Sequence, residues 1–177
     1  MIFLWSTSDK LGARLIRWGR DTDCSHFAVL FDKLPSCGNI VAESRMDSGV
    51  DIDPLGDFKD RNRIVHALEY TPIGTGESEE EAYQMFIKKM EHRAYDKKAV
   101  LWLAMTSLLR KLKISNPYSE NKWGDAEDVY CQEVITCFGE IFARDGVLFT
   151  PRDIEMLDPH QAYAMLVTCP QFRKIEV

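Results

Sequence analysis

The segment Asp128-Val129-Tyr130-Cys131-Gln132-Glu133-Val134-Ile135 places a cysteine at the start of a predicted helix that covers residues 129–143. The unpaired N–H groups of a first helical turn and the positive end of the helix dipole favour a thiolate over a thiol. A cysteine in that position becomes a nucleophile when an imidazole can reach it. The alternative for any single cysteine is a small buried hydrophobic residue. The position of Cys131 favours the nucleophile.

The partner for Cys131 is found in Ser25-His26-Phe27-Ala28-Val29-Leu30-Phe31, where His26 opens an apolar run with β character. Residues 26–31 are predicted to form a strand that pairs in a hairpin with a second strand over 40–43. The side chain of Glu43 would then stand beside the imidazole, orient it and stabilise its charged form. An ordinary carboxylate at the end of a strand is the alternative for Glu43. The backbone N–H of Cys131 is a candidate oxyanion donor.

Composition and charge exclude several other classes of protein. Residues 1–177 are long enough for a single domain that needs no disulfides or metal for stability. The formal net charge of -6 gives no electrostatic basis for binding nucleic acid. The five cysteines are odd in number and none forms a CxxC pair, so no disulfide framework, metal site or cofactor is expected. Cys24 and His26 would share a strand face without a second ligand pair, and His66, His92 and His160 are expected to be surface or locally bonded residues.

The chain has no segment with the pattern of a membrane span or an export signal. Residues 1–6 are too short for the apolar part of a signal peptide and follow no basic region. The longest apolar run, over 99–109, is well short of the roughly 20 residues that a spanning helix needs. A soluble protein, cytoplasmic or associated with a virion, is therefore expected.

The order of the predicted elements indicates an α+β fold, because strands dominate the first part of the chain and helices the later part. Helix 8–18 is predicted to have Ser8 as its N-cap, with Leu11, Leu15 and Trp18 on one face and Ile16 at the edge of that face. Helix 99–112 is interpreted as a core helix, with a membrane-surface helix as the alternative because its end is basic. The acidic run that opens helix 77–92 is interpreted as a solvated helix start. Further strands are predicted over 1–5, 49–53, 62–68 and 172–177, and a helical turn over 150–154.

Several segments, taken in order, resemble the circularly permuted branch of the NlpC-type papain-like superfamily. That branch includes bacterial amidase-like proteins and lecithin–retinol acyltransferase-like enzymes, and in it the histidine strand precedes the cysteine helix. The residue after the cysteine is often a small hydroxyl residue in such proteins, and here it is Gln132. The matching segments are Leu15-Ile16-Arg17-Trp18 followed by Ser25-His26-Phe27-Ala28-Val29, Val41-Ala42-Glu43 followed by Gly49-Val50, Ala94-Tyr95-Asp96, Tyr130-Cys131-Gln132-Glu133-Val134 and Thr150-Pro151-Arg152-Asp153.

The resemblance implies a permuted papain-like fold, in which a small antiparallel sheet packs against helices. It implies a cysteine-dependent amide hydrolase with a Cys131, His26 and Glu43 triad, acting on a cell-wall peptide or a lipid amide. An acyltransferase or a thioesterase would use the same triad with another acceptor or substrate. Members of this kind without an export signal resemble small phage-encoded proteins. The alternative is therefore a non-enzymatic module that keeps the fold and binds phage structural proteins.

Overall fold

A six-stranded antiparallel sheet forms the centre of the structure, a computed structural model that describes residues 1–35, 37–71, 79–90, 93–114, 131–147 and 159–177. The strands are β1 (Ile2–Thr7), β2 (His26–Phe31), β3 (Ile40–Arg45), β4 (Gly49–Pro54), β5 (Arg63–Tyr70) and β6 (Phe172–Ile175). Their order across the sheet is β4-β3-β2-β1-β5-β6. The predicted strands are all present, and the α+β class is confirmed.

The described helices flank this sheet. They are α1 (Leu11–Arg20), α2 (Leu55–Arg61), α3 (Glu79–Met90), α4 (Lys97–Lys111), a 3₁₀ helix (Cys131–Phe138), α5 (Gly139–Arg144) and α6 (Pro159–Leu166). Neither α2 nor α6 was predicted. Helix α2 has seven residues and buries Phe58 alone, so it carries no helical hydrophobic period that a sequence could reveal. The predicted turn over 150–154 lies outside the described residues.

Alternation along the strands divides the apolar side chains between the two faces of the sheet. Phe3, Trp5, Phe27, Val29 and Phe31 point to one face, where they pack with aromatic residues of α3, the 3₁₀ helix and α5 in the main core. Fully burying one such side chain stabilises the fold by about 1.5–3 kcal/mol. The opposite face carries Ile2, Leu4, Ala28, Leu30 and Val41, and Phe58 of α2 covers it. His26, the first residue of β2, has the parity of Ala28, and its ring stacks on Phe58.

The cysteine helix is a 3₁₀ helix followed by α5, whereas a single α-helix over 129–143 was predicted. Residues 129 and 130 lie outside the described residues. The buried positions fit both kinds of helix, since 131, 134, 135 and 138 also have the spacing of one α-helical face. With three residues per turn, Cys131, Val134 and Cys137 form one row and Ile135 and Phe138 a second, and all five are buried. The β-branched run 134–136 also weakens the preference for an α-helix.

Leu11, Leu15 and Trp18 share one face of the first helix, as predicted from their spacing, and that face is exposed. The helix begins at Leu11 after Lys10, and no side chain caps it, so Ser8 is not the N-cap. Arg17 turns inward instead and donates to the carbonyl oxygen of Ser8 at 2.9 Å. Hydrophobic spacing defines a stripe along a helix but does not decide whether the stripe faces the core or the solvent.

Helix α4 also departs from the predicted core helix. Leu101, Leu108 and Leu112 are exposed, whereas Trp102 and Thr106 face inward and are buried. Among the described residues, no helix has both the length and the apolar composition that crossing a bilayer requires.

The acidic start of α3 is solvated only in part. Glu80 and Glu81 are exposed, as predicted. The side chain of Glu79 is buried at 6% exposure, and its Oε1 accepts the backbone N–H of Lys33 at 2.6 Å. Glu79 therefore ties the beginning of α3 to the end of β2, so the prediction of a wholly solvated acidic run is wrong at this residue.

Candidate active site

The register between β2 and β3 brings His26 and Glu43 together. Ala28 lies opposite Glu43, and His26, two residues earlier on the same face, is the diagonal neighbour of Glu43. The distance from Nε2 of His26 to Oε2 of Glu43 is 2.6 Å. The imidazole stacks on the Phe58 ring with 6.4 Å between the ring centroids. The side chain of Glu43 is 2% exposed and that of His26 is 17% exposed.

Arg61, at the end of α2, donates a hydrogen bond to the second carboxylate oxygen of Glu43. Its Nη2 donates to Oε1 of Glu43 at 2.9 Å and to Oδ2 of Asp53 at 2.5 Å. A buried carboxylate needs such partners, because an unpaired charge in this environment is expensive. Sequence reasoning missed Arg61, since it belongs to the unpredicted helix α2. Both oxygens of Glu43 are thus held in place.

Cys131 lies on the other side of the imidazole. It is the first residue of the 3₁₀ helix, it is buried, and its side chain hydrogen-bonds with His26. Glu43 hydrogen-bonds to Nε2 of His26, so Nδ1 is the ring nitrogen that remains for an interaction with the sulfur. The structure therefore brings together the three residues singled out in the sequence, in the order Cys131, His26, Glu43.

The charges around His26 hold it in the imidazolium form. Burial lowers its pKa, but hydrogen bonds to Cys131 and Glu43 and the negative charges of those two groups raise it more, to about 10. Burial raises the pKa of Glu43, and the bonds and positive charges of His26 and Arg61 lower it further than burial raises it. At neutral pH the pair is thus an imidazolium beside a carboxylate. An imidazole that contacts a cysteine sulfur is the arrangement that activates a thiol nucleophile.

A cleft of about 620 Å³ gives access to this pair. His26 and Glu43 line it together with Arg61, Tyr95, Lys97 and residues of α1. Burial raises the pKa of Tyr95 well above its usual value, and the charges of Cys131 and Asp96 add to the effect. The Tyr95 hydroxyl therefore stays protonated and can donate a hydrogen bond. In the sequence, Tyr95 stood out only as part of the segment Ala94-Tyr95-Asp96.

A close backbone approach positions the segment that carries Tyr95. The N–H of Val50 in β4 donates to the carbonyl oxygen of Arg93 at 3.1 Å. Gly49 permits this contact, since its φ is +81° and a Cβ there would lie 2.6 Å from that same oxygen. The segment is consequently pinned beside β4.

The other cysteines have surroundings that differ from those of Cys131. All five are free thiols. Burial raises the pKa of Cys137 to about 12, and it also raises the pKa of Cys169. Cys37 is exposed. Cys24 is buried, and its sulfur shares a hydrogen bond of 3.5 Å with the Thr22 hydroxyl.

A second polar cluster contains ligand types that could hold a metal ion. One ligand atom from each of Asp23, Cys24 and His160 lies within 4.8 Å of the others. Asp23 also pairs with His66, whose Nε2 is 3.0 Å from Oδ2. The prediction that Cys24 would share a face with His26 is therefore wrong, and His66 and His160 converge on one carboxylate. Spacing could not reveal this cluster because His66 and His160 are distant in sequence from Asp23 and Cys24. His92 lies outside the described residues.

No model of a protein family matches the sequence, and no curated protein matches it. Among solved structures, the chain is similar to one described as the metalloprotein YiiX of Escherichia coli O157:H7, DUF1105. The TM-score is 0.50 at 14% sequence identity, over 99% of this chain and 94% of that chain. At this identity the likeness concerns the fold alone.

Proposed function

We propose that the protein is a cysteine-dependent hydrolase of amides with a permuted papain-like fold, in which Cys131 is the nucleophile. The observation that carries the proposal is the position of the His26 imidazole between the Cys131 sulfur and the buried Glu43 carboxylate. A thiol hydrolase needs a sulfur nucleophile, an imidazole in contact with it and a polar group that orients the imidazole. The three residues meet these requirements.

In the first step, the Cys131 thiolate attacks the substrate carbonyl and forms a sulfur–carbon bond. The His26 imidazolium then gives its proton to the leaving nitrogen as the carbon–nitrogen bond breaks. The products are a thioester on Cys131 and a free amine. Glu43 keeps the ring oriented during this transfer, since its Oε2 holds Nε2 at 2.6 Å while Arg61 fixes its Oε1.

The second step is the hydrolysis of the thioester, and the loss of the negative charge on Cys131 in the first step favours it. Acylation removes the negative charge of Cys131, which is one of the groups that raise the pKa of His26. Burial of the ring, which lowers that pKa, remains. His26 therefore becomes a better general base once the thioester has formed. It accepts a proton from water as the water oxygen attacks the thioester, and the carboxylic acid leaves while Cys131 returns as the thiolate.

The oxyanion formed in both steps has two donors available on this chain. The backbone N–H of Cys131 belongs to the first turn of the 3₁₀ helix, where N–H groups have no partner within the helix. The protonated hydroxyl of Tyr95 lines the same cleft. Losing one donor of this kind typically costs about 10²–10³ in rate.

A chromogenic acyl ester and the matching anilide test the proposal. With p-nitrophenyl butyrate, the wild type should release a burst of p-nitrophenolate and carry a butyryl group on Cys131, located by peptide mass spectrometry. Cys131→Ser should give neither signal, and Cys137→Ser should behave as the wild type, because burial raises the pKa of the Cys137 thiol to about 12. Slow turnover of butyryl p-nitroanilide would support the amide hydrolase.

Other outcomes separate the competing functions. Acylation of Cys131 without anilide turnover would favour an acyltransferase or thioesterase, since these share the thioester intermediate. The absence of any acylation of Cys131 would favour a binding module that keeps the fold without the chemistry.

Metal binding is a second candidate function, and the cluster of Asp23, Cys24 and His160 is the observation in its favour. The neighbour YiiX is described as a metalloprotein. Carboxylate, thiolate and imidazole together are ligands that suit Zn²⁺. Elemental analysis of the purified protein, and thermal unfolding with added Zn²⁺, test this function. A metal-dependent rise in Tm that His160→Asn removes would support it, and no metal and no shift would exclude it.

A further inference from the structure

Helices α1 and α4 lie side by side and form one surface next to the cleft. Arg20 of α1 donates to the Thr106 hydroxyl of α4 at 3.1 Å, and the Lys111 ammonium lies 5.8 Å from the centre of the Trp18 ring. At the other end, Lys10 and Lys97 both line the cleft that contains His26. The two helices therefore start at the cleft and run away from it in the same direction.

Among the side chains that the structure describes, both helices carry large apolar residues that are exposed to solvent. On α1, Leu11, Leu15 and Trp18 are separated by four and three residues. On α4, Leu101, Leu108 and Leu112 are separated by seven and four residues, so each set forms a single stripe along its helix. Exposed large side chains of this kind are ordinary when scattered but mark an interaction site when contiguous. The fractions exposed are 70% for Leu11, 51% for Leu15 and 57% for Trp18, and 62% for Leu101, 46% for Leu108 and 59% for Leu112.

The same two segments concentrate the positive charge of the chain. Residues 10–20 and 97–114 contain nine of the 22 lysines and arginines and none of the 28 aspartates and glutamates. Their formal charge is thus +9, and that of the remaining chain is -15. Lys10 and Lys97 at the start of the pair and Lys111 and Lys113 at its end are exposed beside the leucines. The low net charge conceals this asymmetry, which the sequence alone could have shown.

We propose that the α1–α4 surface, defined by the six exposed apolar residues and the lysines beside them, docks on an anionic lipid bilayer. Leucines and a tryptophan on one face of a helix, with lysines at its border, suit the boundary between acyl chains and anionic headgroups. Nucleic acid would engage the cations and leave the leucine stripes without a role. Two copies of this chain meeting through the same surface would bring two strongly positive patches together, which is unfavourable.

Docking in this way gives the cleft a defined orientation. Lys10, Gly12, Leu15 and Ile16 line the cleft as well as belonging to the α1 segment. The mouth of the cleft therefore lies at the border of the docked surface. A substrate presented by the bilayer, such as an amphiphile with an amide near the headgroup, would reach His26 without leaving the membrane. This consequence rests on the proposed function, whereas the docking itself does not.

Sedimentation with lipid vesicles tests the docking. The wild type should pellet with phosphatidylcholine–phosphatidylserine vesicles, bind pure phosphatidylcholine vesicles less, and lose affinity as salt is raised. The double variant Leu11→Glu/Leu101→Glu should bind at least about tenfold more weakly, since two apolar side chains no longer enter the bilayer. Val167→Glu/Val177→Glu is the matched control. It adds the same two negative charges at exposed apolar residues that lie outside the α1–α4 surface, so it should weaken binding much less.

Two results would overturn the proposal. The first is vesicle sedimentation that does not depend on the surface. This means either a wild type that does not pellet with the anionic vesicles, or a double variant that pellets as well as the wild type while its thermal unfolding is unchanged. The second is a dimer in sedimentation velocity without lipid that the double variant breaks, because the surface would then join two copies of the chain. Cys131→Ser should bind vesicles as the wild type does. Failure of the proposed chemistry is therefore distinguishable from failure of docking.

Discussion

Replacing Glu43 by glutamine should lower the pKa of His26 while leaving the fold in place. The substitution removes the negative charge 2.6 Å from Nε2 but keeps the shape of the side chain. A hydrogen bond to a charged group contributes about 1.5–3 kcal/mol. One pKa unit corresponds to about 1.4 kcal/mol, so the pKa of His26 should fall by about 1–2 units. The remaining elevation would come from Cys131.

The direct assay is a titration of the imidazole by NMR in ¹⁵N-labelled protein, where the nitrogen shifts report the protonation of each ring atom. In the wild type, His26 should remain protonated until about pH 10. Asp53→Asn is the matched control, because Asp53 shares the Arg61 guanidinium with Glu43 but does not contact His26 in the described hydrogen bonds. Its effect on the pKa of His26 should be much smaller than that of Glu43→Gln.

Two results would refute this reasoning. The first is a His26 that titrates at the same pH in the wild type and in Glu43→Gln. The second is a His26 that titrates near 6.5 in the wild type, since neither neighbour would then stabilise its charge.

Three further predictions concern stability, each measured by urea unfolding. The folded state keeps a proton on His26 between pH 6.5 and about 10 that the unfolded state releases, so its stabilising contribution is complete below 6.5 and is lost as the pH rises through about 10. The wild type should lose more stability than His26→Gln over that range, and equal losses would contradict the assignment. Gly49→Ala should destabilise the fold by about 1–3 kcal/mol, because its positive φ and the nearby Arg93 oxygen leave no room for a Cβ, whereas Gly12→Ala should be neutral or stabilising. Phe138→Ala should cost about 3–5 kcal/mol, because its ring packs against the rings of Phe3 and Phe86, and a loss below about 1 kcal/mol would show that the core is loosely packed there.

The β2–β3 hairpin and its diagonal pair of side chains were predictable because they depend on local alternation. The two-residue period of a strand determines the face on which the His26 side chain lies, and the β2–β3 connection determines which residue of β3 is its neighbour. Glu43 could therefore be named without tertiary information. Arg61 and Tyr95 could not be assigned, since α2 lacks a hydrophobic period and the Tyr95 segment is held by a distant backbone contact at Gly49.

The orientation of α1 and α4 was beyond the sequence for a different reason. Regular spacing of leucines identifies a stripe, and a stripe suits either a core or a membrane surface. The positive charge of both segments favours an exposed position over a core, but it does not show which side chains of each helix face the solvent. Helical spacing likewise predicted an α-helix after Cys131, where a 3₁₀ helix forms, because the same spacing of buried residues suits both kinds of helix.

The reactivity of Cys131 relative to the other thiols tests the central claim most directly. Brief treatment with iodoacetamide at about pH 6, followed by peptide mass spectrometry, gives the alkylation rate of each cysteine in one sample. Iodoacetamide alkylates the thiolate, and ordinary thiols are almost entirely protonated at that pH, so a cysteine activated by an imidazole is expected to react first. Cys131 should therefore react at least about tenfold faster than the exposed Cys37, and His26→Ala should abolish the difference. A Cys37 that reacts as fast as Cys131, or a Cys131 whose rate does not change in His26→Ala, would contradict the account.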